Sequence, residues 1–151
     1  MRAFGARNPG SNPGGAIKMS LESLFGTQKP IIGMIHLAGR RREKLRRAEK
    51  ELNIYSEEGI DAAIIEDYHG TPRDVKNCLE MVEGREDITI GVNLLRNPYR
   101  GIELASRYGA GFVQFDNIQT EFLDLKEYTR LRKSYPQISV LGGVRFKYQK
   151  R

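Results

Sequence analysis

The chain has a single cysteine, Cys78, among 151 residues. An intrachain disulfide is therefore excluded, and such usage suits a reducing compartment. Long apolar runs are also missing: nothing approaches the roughly 20 residues that a membrane helix requires. Ala3 to Ile17 contains no apolar stretch behind the basic residues, so no signal peptide is expected. These absences point to a soluble, cytoplasmic protein without membrane insertion. There are two histidines and no H-x-x-x-H or C-x-x-C spacing, so neither a metal nor a cofactor is expected. His36, Glu66 and His69 form the best trio of metal donors on offer, but no such spacing supports it.

Charge is plentiful, with a formal balance of +6. The densest basic run, Arg40 to Arg47, invites a nucleic-acid reading, yet its spacing favours another. Leu45, Ala48, Leu52 and Tyr55 recur as one apolar stripe of a helix, and the opposite face mixes Arg and Lys with Glu43, Glu49 and Glu51. A solvated outer helix explains that pattern. Interleaved aromatics and a nucleic-acid motif are absent, so no nucleic-acid partner is expected. Cys78 falls mid-helix beside Val75, Leu79 and Val82, which favours packing over nucleophilic chemistry.

The first 29 residues hold five Gly and two Pro with no sustained periodicity. Such a composition buries too little apolar surface to offset the entropy of ordering. Residues 1–28 are accordingly expected to be a disordered tail or non-native extension, and 29–151 to form the folded domain.

Within that domain five apolar runs recur about every 25 to 30 residues, as repeated β-α units do. They are Pro30 to Leu37, Ala62 to Asp67, Ile88 to Leu95, Phe112 to Asn117 and Ile138 to Lys147. Between them, Thr71-Pro72-Arg73-Asp74 and Asn97-Pro98 carry helix N-caps followed by proline, and Asp124 with Glu127 resembles a capping box. Gly59, Gly84 and Gly109 stand where left-handed helix ends belong. The pattern predicts an α/β fold with a parallel sheet.

Alternation assigns faces. In the third run Ile88, Ile90, Val92 and Leu94 should meet helices, leaving Thr89, Gly91 and Asn93 on the inner face. In the fifth, Ser139, Leu141, Gly143, Arg145 and Lys147 share a face opposite Val140, Val144 and Phe146. Five strands and four helices fit either a flavodoxin-like doubly wound sheet or part of a TIM (β/α)8 barrel. Both architectures gather ligand groups at the C-terminal ends of their strands. There the chain places His36, Glu66, Asp67, Asn93, Arg96, Asp116, Arg145 and Lys147.

Lys29-Pro30-Ile31-Ile32-Gly33-Met34-Ile35-His36-Leu37 resembles the opening strand of the BtpA family of β/α-barrel proteins, a group that includes SgcQ. Gly59 to Glu66 and Gly91-Val92-Asn93-Leu94-Leu95-Arg96-Asn97 continue the likeness in order, and Val144-Arg145-Phe146-Lys147 is similar to the family's fifth strand. The resemblance implies a partial barrel of about five strands. A complete barrel runs to roughly 250 residues, so 29–151 would be a truncated one, prone to self-association through its unpaired fifth strand.

For function the resemblance leaves two classes open. One is a barrel enzyme or binder of a small polar or phosphorylated metabolite of sugar type, such as a lyase, isomerase or hydrolase. The other is a non-catalytic assembly factor for a membrane complex, since the family is associated with photosystem I accumulation in cyanobacteria. In the first, His36, Glu66, Asp116 and Lys147 would be catalytic, and Asn93, Arg96 and Arg145 would bind ligand. Glu66 and Asp67 are adjacent, leave opposite faces of a strand, and cannot act as a dyad. Structural alternatives stand beside these roles: a backbone-bonded core histidine for His36, an ion pair with Arg96 or Lys147 for Glu66, and charge compensation of Glu66 and Asp116 for Arg145 and Lys147.

Overall fold

The structure, a computed structural model, describes residues 20–143. Arg145 and Lys147 lie outside the described residues. Five parallel strands, β1 (Ile32–Ile35), β2 (Ala62–Glu66), β3 (Thr89–Asn93), β4 (Phe112–Phe115) and β5 (Ser139–Gly142), form one sheet in the order β1-β2-β3-β4-β5. Helices α2 (Lys44–Glu57), α3 (Pro72–Val82), α4 (Pro98–Arg107) and α5 (Leu125–Ser134) fill the crossovers. A sequential order rules out the doubly wound alternative, whose strand order reverses at a switch point. The architecture is a partial α/β barrel.

The helices form where local chemistry specifies them. Thr71 and Asp74 cap α3 reciprocally and Pro72 occupies its first turn, while Asn97 accepts from the Arg100 amide ahead of α4 and Asp124 from the Glu127 amide ahead of α5. Gly59, Gly84 and Gly109 all take positive φ at the helix-to-strand turns, a conformation that costs glycine little. The stripe expected of α2 faces inward, with Ala48 and Leu52 buried. Tyr55 packs beside them and donates its hydroxyl to the Met34 carbonyl at 3.1 Å. Cys78 is buried in α3, and burial pushes its thiol up to about 12, which leaves it protonated and inert at neutral pH.

Register sorts the side chains. Ala62 pairs with Ile32 and Thr89, Phe112 with Gly91 and Ser139, so one face carries Ile32, Met34, Ala62, Ile64, Gly91, Phe112 and Leu141. The other face, with Ile35, Ala63, Ile65, Ile90, Val92, Val113 and Phe115, packs with α2 to α5 in the larger core. Full burial of a side chain such as Leu52 or Leu79 contributes roughly 1.5–3 kcal/mol, and both are 0% exposed. At Gly91 a Cβ would sit inside the ring of Phe112, so the glycine makes room for that ring.

Two expectations need correction. Residues 20–28 are not unstructured: Leu21–Phe25 form α1, with Ser20 and Ser23 as a reciprocal capping box. Nor do all helices share one face. Phe25 enters the inner face and meets Phe112 edge-on at 5.2 Å, among Ala62, Ile64, Ile32 and Met34. The glycine- and asparagine-rich composition before Ala16 masks a short apolar pattern, Leu21, Leu24 and Phe25, which is enough to make a plug once a sheet stands behind it.

Candidate functional site

At the C-terminal end of the inner face the apolar pattern stops. Alternation along β2 turns Glu66 to the same side as Ala62 and Ile64, and register sets it directly against Asn93 of β3. Asn93 Nδ2 donates to Glu66 Oε1 at 2.7 Å and to Asp116 Oδ1 at 3.0 Å. One amide thus bridges two carboxylates on neighbouring strand ends. His36, just past β1, places Nε2 3.2 Å from Glu66 Oε2. Gln114, two residues before Asp116, reaches the same Asp116 oxygen at 3.5 Å.

Burial separates the members. Glu66 is 5% and Asn93 1% exposed, whereas the His36 side chain is 44% exposed and open to solvent. Desolvation raises Glu66 above the ordinary carboxylate range. Neighbouring His36 and the Asn93 hydrogen bond pull it down, Asp116 and Asp67 push it up again, and the upward direction prevails.

The surrounding loops are tied one to the next. The His69 amide donates to the His36 carbonyl at 3.0 Å, the Leu95 amide to Asp67 Oδ1 at 2.9 Å, and the Ile118 amide to the Gly143 carbonyl at 3.1 Å. Lys44 Nζ reaches the His69 carbonyl at 2.9 Å and Asp74 at 3.2 Å. Burial raises the Asp74 carboxyl, but hydrogen bonds from Thr71 and Lys44 outweigh it and hold the group below its usual value. Next to His36, Leu37 has φ +53° and is buried. A left-handed leucine costs about 1–2 kcal/mol; here it turns the chain off β1 and packs the side chain beside Gly70.

Of the residues selected from sequence, His36, Glu66, Asn93 and Asp116 converge. Glu66 pairs with His36 and Asn93 instead of Arg96. Arg96 is exposed on the β3–α4 loop, where it lines a cavity of about 290 Å³ together with Asn93, Tyr99, Asp116, Phe122 and Leu123. Sequence reasoning overlooked Tyr68, whose ring lies 5.1 Å from His36 and 4.7 Å from His69, and it overlooked Asp67 as a loop anchor. No local signal discloses either role, because the loop path that brings the Leu95 amide to Asp67 is not set by alternation. Among the described residues, no three His, Cys, Asp or Glu side chains are grouped to hold a metal ion, and no helix is long and apolar enough to cross a membrane.

The polar groups stand at the C-terminal ends of consecutive parallel strands, the end at which β/α barrels place their active sites. No family model matches the chain, and no curated protein matches it. Among solved structures it is similar to the TIM-barrel 7,8-dihydropteroate synthase from Vibrio fischeri ES114, with TM-score 0.57 and 13% identity over 75% of this chain and 44% of that one. It is also similar to Xanthomonas albilineans dihydropteroate synthase, solved in complex with indole-2-carboxylic acid and 6-chloroguanine, with TM-score 0.56 and 17% identity over 74% and 42% of the two chains. At these identities the likeness is one of fold. The chain spans less than half the length of the synthases it matches.

Proposed function

We propose that the chain belongs to a BtpA/SgcQ-like barrel protein that binds a small polar metabolite, of sugar or sugar-phosphate type, and moves a proton on it. The observation that carries this reading is Glu66: a carboxylate buried at a strand end, raised by desolvation, and in contact with the half-exposed His36. Burying such a group is costly for folding alone. A carboxylate with a raised pKa is a stronger base, and His36 can exchange the proton with solvent. Asn93 would orient the ligand, and Asp116 would accept from it or share the acid–base work. Arg96, Arg145 and Lys147 would supply cationic groups for an anionic substituent. Both dihydropteroate synthases named above act in barrels of this fold, and one is named as holding two small ring compounds. That supports a small-molecule ligand.

The test is a thermal-shift and turnover screen of the full chain with pentoses, hexoses and their phosphates, repeated with Glu66→Gln. Removal of the acid–base group should lower turnover of any hit by about 100-fold or more while the chain remains folded. Equal turnover by the folded variant would overturn the assignment.

A further inference from the structure

We infer that Lys44, the first residue of α2, is a positioning residue that acts on His36 through the β2–α3 loop. This deepens the reading above and rests on it, since His36 is the group that exchanges the proton of Glu66 with solvent. The His36 side chain is 44% exposed, so burial does not fix it. Its Nε2 meets Glu66 Oε2 at 3.2 Å, and its ring faces those of Tyr68 at 5.1 Å and His69 at 6.3 Å. Both of those rings stand on the β2–α3 loop. The His69 amide also donates to the His36 carbonyl at 3.0 Å. Whatever holds that loop therefore holds His36.

Lys44 differs from the cations around it. Arg40, Arg41, Arg42, Arg46, Arg47 and Lys50 are exposed, as a solvated helix face requires. The Lys44 side chain is only 13% exposed, and its Nζ donates to the His69 carbonyl at 2.9 Å and to Asp74 Oδ2 at 3.2 Å. Taking an ammonium group out of water is costly unless its hydrogen bonds are made. The cap of α3 does not need this lysine, because Asp74 Oδ2 already accepts from the Thr71 amide and hydroxyl, each at 2.9 Å. What Lys44 adds is the bond to the His69 carbonyl. His69 is thereby held through both of its main-chain groups, the carbonyl by α2 and the N–H by His36. Packing points the same way: a Cβ at Gly70 would lie 3.0 Å from Leu37 Cβ and 3.5 Å from Asp74 Cβ. The loop is thus seated between the turn that follows His36 and the first turn of α3. The left-handed Leu37 in that turn persists only where its surroundings enforce it.

Lys44→Met keeps most of the aliphatic stem and removes the donors, and nuclear magnetic resonance of the full chain reads the result. The His69 amide should exchange about tenfold faster, the equivalent of one lost hydrogen bond. The Overhauser contact between the His36 and Tyr68 rings should disappear as well; with two histidines in the chain, the imidazole signals are readable. Lys44→Arg retains charge and donors and should restore both signals. Thr71→Ala is the counter-test: it removes the hydroxyl that caps α3 but leaves the Lys44–His69 bond, so it should lower the urea midpoint and change neither signal. The inference is overturned if Lys44→Met leaves either signal unchanged, if Lys44→Arg restores neither, or if Thr71→Ala moves both as far as Lys44→Met does. It is overturned too if Lys44→Met fails to fold, because the lysine is then a support of the structure at large. Failure of the proton-transfer reading is distinguishable, because it shows as unaltered turnover in Glu66→Gln, whatever the two signals do in Lys44→Met.

Discussion

The two ends of the inner sheet face are built from the same strands and share almost no chemistry. At the strand starts, Ile32, Ala62 and Phe112 close around Phe25 of α1. Four residues along β2, roughly 13 Å away, the side chains are Glu66, Asn93 and Asp116, joined through one amide. The first end is what folding alone would select: apolar surface removed from water, with an edge-on aromatic pair at its centre. The second spends folding energy, because a buried carboxylate carries a desolvation penalty that an apolar residue would not. In β/α barrels the bottom face serves stability and the top face chemistry; the proposed function assigns the two ends here in the same way.

The largest effect should come from breaking the apolar end. Phe112 is fully buried, and Phe112→Ala removes both its ring and the contact with Phe25, so the urea unfolding free energy should fall by about 3–5 kcal/mol. A loss below about 1 kcal/mol would mean that α1 is not a plug and that the ends do not divide the work.

How far the sequence discloses this division depends on the range of the interactions involved. Strand order, helix caps and the inward direction of Asn93 all follow from neighbours within a few residues, through alternation, capping chemistry and glycine positions. The convergence of His36, Glu66, Asn93 and Asp116 follows as well, because parallel strands running one way must end on one side. The helix α1 escapes, since five residues capped by Ser20 gain stability only from a sheet that the local pattern does not display. The partner of Glu66 also escapes: His36 and Arg96 both stand near strand ends, and it takes the β1–β2 register, with Ile35 against Ile65, to bring His36 beside Glu66. The roles of Asp67 and Tyr68 require the loop path, which alternation does not specify.

A sharper measurement concerns the polar end alone. Glu66 has a folded-state pKa raised above 4.5, chiefly by burial. Between 4.5 and that raised value the folded chain binds more protons than the unfolded one, so the contribution is present below pH 4.5 and is lost as pH rises through the folded value. Glu66→Gln has no such titration. The stability difference between variant and wild type should therefore shift in favour of the variant as pH climbs from 4 through 7, read from urea midpoints at each pH. A difference moving the other way would show that the His36 contact, and not desolvation, governs the carboxylate.

The smallest effect should be local and should fall between the two ends. Asp67 stands beside Glu66 in sequence, yet it faces outward and accepts from the Leu95 amide at 2.9 Å. The bond joins the end of β2 to the loop that carries Leu95 and Arg96. Asp67→Ala removes an exposed-side acceptor and creates no large cavity, so global stability should drop by only about 1 kcal/mol. The Leu95 amide, however, loses its one partner among the described residues, and its hydrogen exchange should accelerate by about tenfold while Ile90 and Val92 amides in β3 remain protected. Asp67→Asn retains an acceptor oxygen and should restore most of the protection. If exchange at Leu95 is unchanged in Asp67→Ala, the loop is held by its own packing, and the mouth is more rigid than a set of tied loops would make it. If β3 exchanges faster as well, Asp67 supports the sheet itself, and the boundary between the stabilising and the ligand-facing parts of β2 lies beyond Glu66.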